Sequence, residues 1–192
     1  MEVNLRLFFA VPLSDEVRMM VAEAIDRFPI SNPPWRWIPT DNLHITLKFL
    51  GDVEEGMLPS LKEIADNVAE DTRPFDIAFG RFGGFPSLSN PRVVFFAIEE
   101  GVGHLSNLAD ALENELAVLG FRREKRPFRA HVTLARIKRP LDNEVRAMLK
   151  SVESLSPGAV QHVDGFVLFQ SYLQRRGAIY EEILRADFTS KR

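Results

Sequence analysis

At 192 residues, 45% hydrophobic and 27% charged, the chain is long enough to bury a substantial core in one domain or two small lobes, and it is neither disordered nor fibrous. A net charge of −3 argues against a general nucleic-acid binder, whose affinity would come from a broad phosphate-neutralising surface. With no cysteine there is no disulfide framework, thiol nucleophile or thiolate metal site, so the four histidines must supply any imidazole chemistry.

The chain opens on Met1-Glu2 without a basic segment and long apolar core, and apolar runs such as Leu7 to Leu13 are too short to span a bilayer. A cytoplasmic protein off the membrane is expected. Val3 to Val11 predicts a buried first strand ended by Pro12, and Ser14 caps a helix over 15–28 with apolar positions at Val17, Met20, Val21, Ala24 and Ile25. Trp35 to Ile38 suits a short edge strand, Thr40-Asp41-Asn42 a turn, and 43–49 a strand stopped by Gly51. Residues 57–70 have a helical apolar face, Phe75 to Phe82 is extended with Gly83-Gly84 as a turn, and Arg92 to Ile98 is a strand. A strong helical stripe from Leu105 to Leu119 ends at Gly120. A second strand over 131–137, a helix over about 141–151, and two last strands, Ala159 to Gln170 and Ala178 to Ala186, complete the chain.

Two tetrapeptides organise these elements. His44-Ile45-Thr46-Leu47 returns as His131-Val132-Thr133-Leu134. In a strand, residues two apart share a face, so each copy sets an imidazole beside a hydroxyl and turns two apolar residues to a core. Each copy opens a strand-helix-strand run, over 43–82 and 131–170, so a duplicated lobe with a pseudo-twofold across one cleft is expected. The basic run from Arg122 to Arg139 holds eight cations against Glu124 alone and brackets His131, and it reads either as a local field for an anionic substrate or as plain solvated surface. The acidic run from Asp52 to Asp71 reads as a solvated face.

One neutral imidazole can take a proton while a second, as imidazolium, gives one, which suits in-line displacement at phosphorus; hydroxyls beside them can bind the non-bridging oxygens. A single copy would be better explained as a half-buried strand residue. Two matched copies reverse that preference. A zinc site built on His44 and His131 is disfavoured, because no His-x-His or His-x-x-x-His pair accompanies them. His104 and His162 suit surface or capping roles, Gly80, Gly83 and Gly84 a turn, and Trp35 and Trp37 partial burial. Parity puts Phe49 on the core side with Ile45 and Leu47, and Arg136 on the face opposite His131.

The paired motifs resemble those of the 2H phosphoesterase superfamily, and more closely its LigT-like branch of RNA 2',3'-cyclic phosphodiesterases, once called 2'-5' RNA ligases. The resemblance rests on Arg6-Leu7-Phe8-Phe9-Ala10, on Asn42 to Gly51 and on Ala130 to Arg136, and it runs to Ser171-Tyr172-Leu173. It implies an α+β fold of two pseudo-symmetric lobes of mainly antiparallel sheet, with outer helices, around a central cleft within one domain. It also implies hydrolysis of a 2',3'-cyclic phosphate RNA end to a 2'-phosphomonoester, without cofactor or metal. His44 would be the proton donor, His131 the acceptor, and Thr46, Thr133 and Arg136 phosphate contacts; Arg136 would need a twist or a strand end to reach the site. Ala130 departs from the proline common there in relatives, which loosens the entry to that strand. The expected partner is an RNA end or a small cyclic nucleotide, and the expected state a monomer. Rival readings are a phosphodiesterase for another small cyclic or 2',5'-linked nucleotide, and an RNA-end binding module without turnover.

Overall fold

The structure is a computed structural model that describes residues 3–30, 33–174 and 177–189; Met1 and Glu2, on which part of the leader expectation rests, lie outside them. Eight strands form one sheet in the order β6-β3-β4-β5-β2-β1-β7-β8, every pairing antiparallel. The strands are β1 (Asn4–Pro12), β2 (His44–Glu54), β3 (Phe75–Phe85), β4 (Val93–Glu100), β5 (His131–Arg136), β6 (Val160–Val163), β7 (Gly165–Gln174) and β8 (Gly177–Asp187). Four helices accompany them: α1 (Asp15–Asp26), α2 (Leu58–Glu70), α3 (Val102–Val118) and α4 (Asn143–Ser151). This is the expected α+β class, with the two halves joined through β2 and β5 by the one registered pair Ile45–Val132. No helix among the described residues is long and apolar enough to cross a membrane.

One face of the sheet packs beneath the helices. Leu5, Leu7, Phe9 and Val11 of β1, Ile45 and Leu47 of β2, and Val132 and Leu134 of β5 share a core with Val17 and Val21 of α1, Leu61 of α2, and Leu105, Leu112 and Leu116 of α3. Ser14 caps α1 as its sequence demands, its side chain accepting from the Val17 N–H. The opposite face carries the alternate residues, and on it the site is built.

Several boundaries differ from those the sequence suggests. Gly51 does not stop β2; the register with β1 skips Leu50, and Gly51 comes next with a φ of 79°, a backbone bend that glycine adopts without steric cost. Gly83 and Gly84 lie inside β3, opposite Phe95 and Val94. A Cβ on Gly83 would come within 2.6 Å of the Phe95 ring, so the glycine makes room for that aromatic. The expected strand 159–170 is two, because β6 pairs with β3 at one edge while β7 pairs with β1 and β8 in the other half. Trp35 to Ile38 supplies only an isolated bridge from Trp37 to Ala135.

Outer strands are exchanged between the halves. β3, from the first half of the chain, pairs with β4, while β7 and β8, from the second, extend the sheet beyond β1.

Candidate active site

The antiparallel pair Ile45–Val132 puts the two motifs about a local twofold, with His44 on the Thr133 side and Thr46 on the His131 side, all four on the face away from the core. Each ring is anchored in the same way. His44 Nδ1 donates to the Asn42 carbonyl at 2.8 Å and His131 Nδ1 to the Arg129 carbonyl at 2.6 Å. A carbonyl can only accept, so Nδ1 holds the hydrogen and Nε2 is left for chemistry in both rings. His44 Nε2 lies 3.1 Å from Thr46 Oγ1, within reach of its hydroxyl.

Beyond the threonines the two strands repeat one irregularity. The register of β2 on β1 skips Leu47, and that of β5 on β4 skips Leu134, so each leucine is an extra residue in a β-bulge. The bulge reverses parity for the residues beyond it. Lys48 and Ala135 turn into the core, whereas Phe49 and Arg136 turn out to the face of the histidines. Phe49 is therefore not a core residue as expected; it is 63% exposed, its ring 5.7 Å from Phe8. Arg136 reaches the site through the same device, and its charge acts on both histidines.

Aromatic rings enclose each imidazole. Phe8, Phe169 and Tyr180 surround His44 at 4.9, 6.2 and 5.2 Å between centroids. Phe85 and Phe95 flank His131 at 5.0 and 5.3 Å, and the Arg129 guanidinium lies over the Phe85 ring. Burial lowers the proton affinity of both rings, His44 to a pKa of about 4, with the Arg136 charge acting the same way. Burial raises the Tyr180 phenol, against the pull of Arg136 and Arg6. Burial thus favours the neutral form of both histidines, whereas an anion beside the Nε2 atoms would favour the protonated form.

Lys48 serves the neighbouring loop. Its side chain, 6% exposed, donates to Glu113 Oε1 of α3 at 2.6 Å and to the Arg122 carbonyl at 2.8 Å, while Glu113 Oε2 accepts from the Glu124 N–H. The start of the basic segment leading to His131 is thereby tied to the core.

The remaining candidates fall elsewhere. His104 stacks on Phe75 at 5.0 Å, and His162 pairs with Asp76 across β6 and β3 on an exposed surface. Trp35 is buried and Trp37 half-buried, packed edge to face. Among the described residues no group of three ligating side chains gathers to hold a metal. Of the enclosing rings only Phe8 lies in a segment that the sequence singled out; Phe85, Phe95, Phe169 and Tyr180 owe their place to strands distant in the chain.

The family described as LigT-like phosphoesterase matches residues 11–95 and 97–180. The RNA 2',3'-cyclic phosphodiesterase of Archaeoglobus fulgidus is 37% identical over 180 residues, 93% of this chain and 98% of that protein. That of Thermotoga maritima is 30% identical over 96% of each. A crystal structure of a Thermus thermophilus protein superposes with a TM-score of 0.80 at 30% identity, covering 97% of this chain and all of the other. Escherichia coli LigT complexed with 3'-AMP does so at 0.75 and 26%, over 98% of this chain and all of that one.

Proposed function

The chain belongs to the LigT-like phosphoesterase family, and from that membership we propose that it opens 2',3'-cyclic phosphate ends of RNA, the substrate that names its relatives. The observation that supports this reading is the pair of imidazoles on one sheet face, on neighbouring strands, each with Nδ1–H fixed on a backbone carbonyl so that Nε2 is left for chemistry. Neutral His131 takes a proton from water through Nε2 as the water oxygen bonds to phosphorus. The bond from phosphorus to the ribose 3' oxygen breaks on the far side, and protonated His44 delivers its Nε2 proton to that oxygen. A 2'-phosphomonoester remains. Thr46 and Thr133 hydroxyls and the Arg136 guanidinium bind the non-bridging oxygens, where charge accumulates in the transition state.

The same roles orient the nucleoside. The acid must touch the ribose oxygen, so the ribose lies over the His44 half, where the exposed Phe49 ring offers a stacking surface for the base. The substrate anion supplies the charge that brings His44 to its protonated form, which burial by itself opposes.

The test is a short RNA ending in a 2',3'-cyclic phosphate, incubated with the enzyme in excess EDTA and followed by phosphorus NMR. A 2'-phosphate product is expected. A 3'-phosphate product would reverse the orientation of the ribose between the histidines. Turnover of small cyclic nucleotides alone would make the enzyme a nucleotide phosphodiesterase, and binding without turnover would reduce the site to a recognition module.

A further inference from the structure

With His44 as acid, the terminal ribose lies over the half of the sheet built from β1, β2, β7 and β8, and the RNA chain must leave across the same half. That half offers two exits. One is a cavity of about 470 Å³ beside His44, lined among others by Arg18, Arg185, Asp41, Asp164 and Glu182. Its two arginines are each paired with a carboxylate, Arg18 with Asp15 and Arg185 with Glu182, and three carboxylates stand in its walls. A polyanion gains nothing there.

The other exit runs down β1. Leu5, Leu7, Phe9 and Val11 of this strand point into the core beneath the helices, so Arg6 lies on the other face with Phe8, whose ring packs tilted against His44 and Phe49. Arg6 stands two residues beyond Phe8 on the side away from His44, about 7 Å along the strand. Its guanidinium forms no ion pair within 4.0 Å among the described residues, although Asp52 is its cross-strand neighbour. Tyr180 belongs to the same aromatic surface, its ring 5.0 Å from Phe8 and 5.2 Å from His44, and the charges of Arg6 and Arg136 both act on its phenol. An aromatic surface with a cation at each end has the layout of one nucleotide: phosphate, nucleoside, phosphate.

We propose that Arg6 is a second phosphate-binding residue, engaging the phosphodiester on the 5' side of the terminal nucleotide, so that the enzyme favours RNA ends over cyclic mononucleotides. The inference rests on the phosphodiesterase reading and on His44 as its acid. It converts Arg6 from a solvated surface charge into the residue that recognises a chain.

Three substrates test it: a 2',3'-cyclic mononucleotide, a dinucleotide with a 2',3'-cyclic end, and the same dinucleotide with an uncharged methylphosphonate linkage. The wild type should show a KM for the natural dinucleotide roughly tenfold below that for the methylphosphonate, the worth of one charge-assisted hydrogen bond. Arg6→Gln should erase that difference, with a much smaller effect on the mononucleotide. A linkage preference that survives Arg6→Gln overturns the inference. So does its loss in Arg129→Gln instead, which would send the chain across the His131 half. Hydrolysis of none of the three by the wild type refutes the phosphodiesterase reading as well.

Discussion

The enclosure of His44 has a measurable cost in acid. Burial among Phe8, Phe169 and Tyr180 lowers its pKa from 6.5 to about 4 in the folded protein. The unfolded chain regains the ordinary value, so between pH 6.5 and 4 the unfolded state binds more protons, and stability falls as pH falls through that window. At 1.36 kcal/mol per unit the full loss is about 3 kcal/mol, most of it reached by pH 4.5. The burial of His131 acts with the same sign, so a substitution must isolate the first ring. His44→Asn keeps a donor for the Asn42 carbonyl and removes the titration. Urea unfolding at pH 7.5 and 4.5 should show the wild type losing roughly 2–3 kcal/mol more than His44→Asn. Parallel losses in the two proteins would refute the claim that burial holds this imidazole neutral.

Four further outcomes are expected. His44→Ala and His131→Ala should each lower kcat by roughly 10²- to 10⁴-fold while circular dichroism stays that of the wild type, and a near-normal rate in either would leave that ring a structural role. Phe49→Ala should weaken nucleotide binding by about 1–3 kcal/mol, read as a rise in KM, with little change in unfolding free energy because the ring is exposed. Lys48→Met should destabilise the fold by about 3 kcal/mol by leaving Glu113 without its partner, and adding Glu113→Leu should recover much of it; equal stabilities in urea would mean the buried pair is idle. Neutralising Arg122, Arg123 and Lys125 should flatten the salt dependence of kcat/KM, and an unchanged slope would make that segment plain solvated surface.

What could be read in the sequence was whatever repeats at a fixed period. His44 with Thr46, and His131 with Thr133, are legible because alternation is a local property of a strand. Phe49 and Arg136 are not, because one extra leucine in each strand reverses the parity, and an apolar residue in a bulge looks like any other in an apolar run. Gly51 and Gly83 mislead for a related reason: glycine marks a bend or a close contact within a strand as readily as a strand's end. The rings around the histidines come from β1, β3, β4, β7 and β8, and only the order of strands in the sheet brings them together. Nothing local to Tyr180 or Phe85 announces a neighbouring imidazole.

The exchanged outer strands have a consequence for how the chain can be divided. A cut in the connection between β3 and β4 would not release two half-enzymes, since the first fragment would carry β3 without β4 and β1 without β7, and the second would lack the converse partners. Each fragment would expose strand edges that only the other can cover, so activity would return on mixing and not before. A lone strand-helix-strand repeat could cover its edges only by trading its last strand with a second copy. That is domain swapping, and the two histidines would then face each other across the twofold axis of a homodimer.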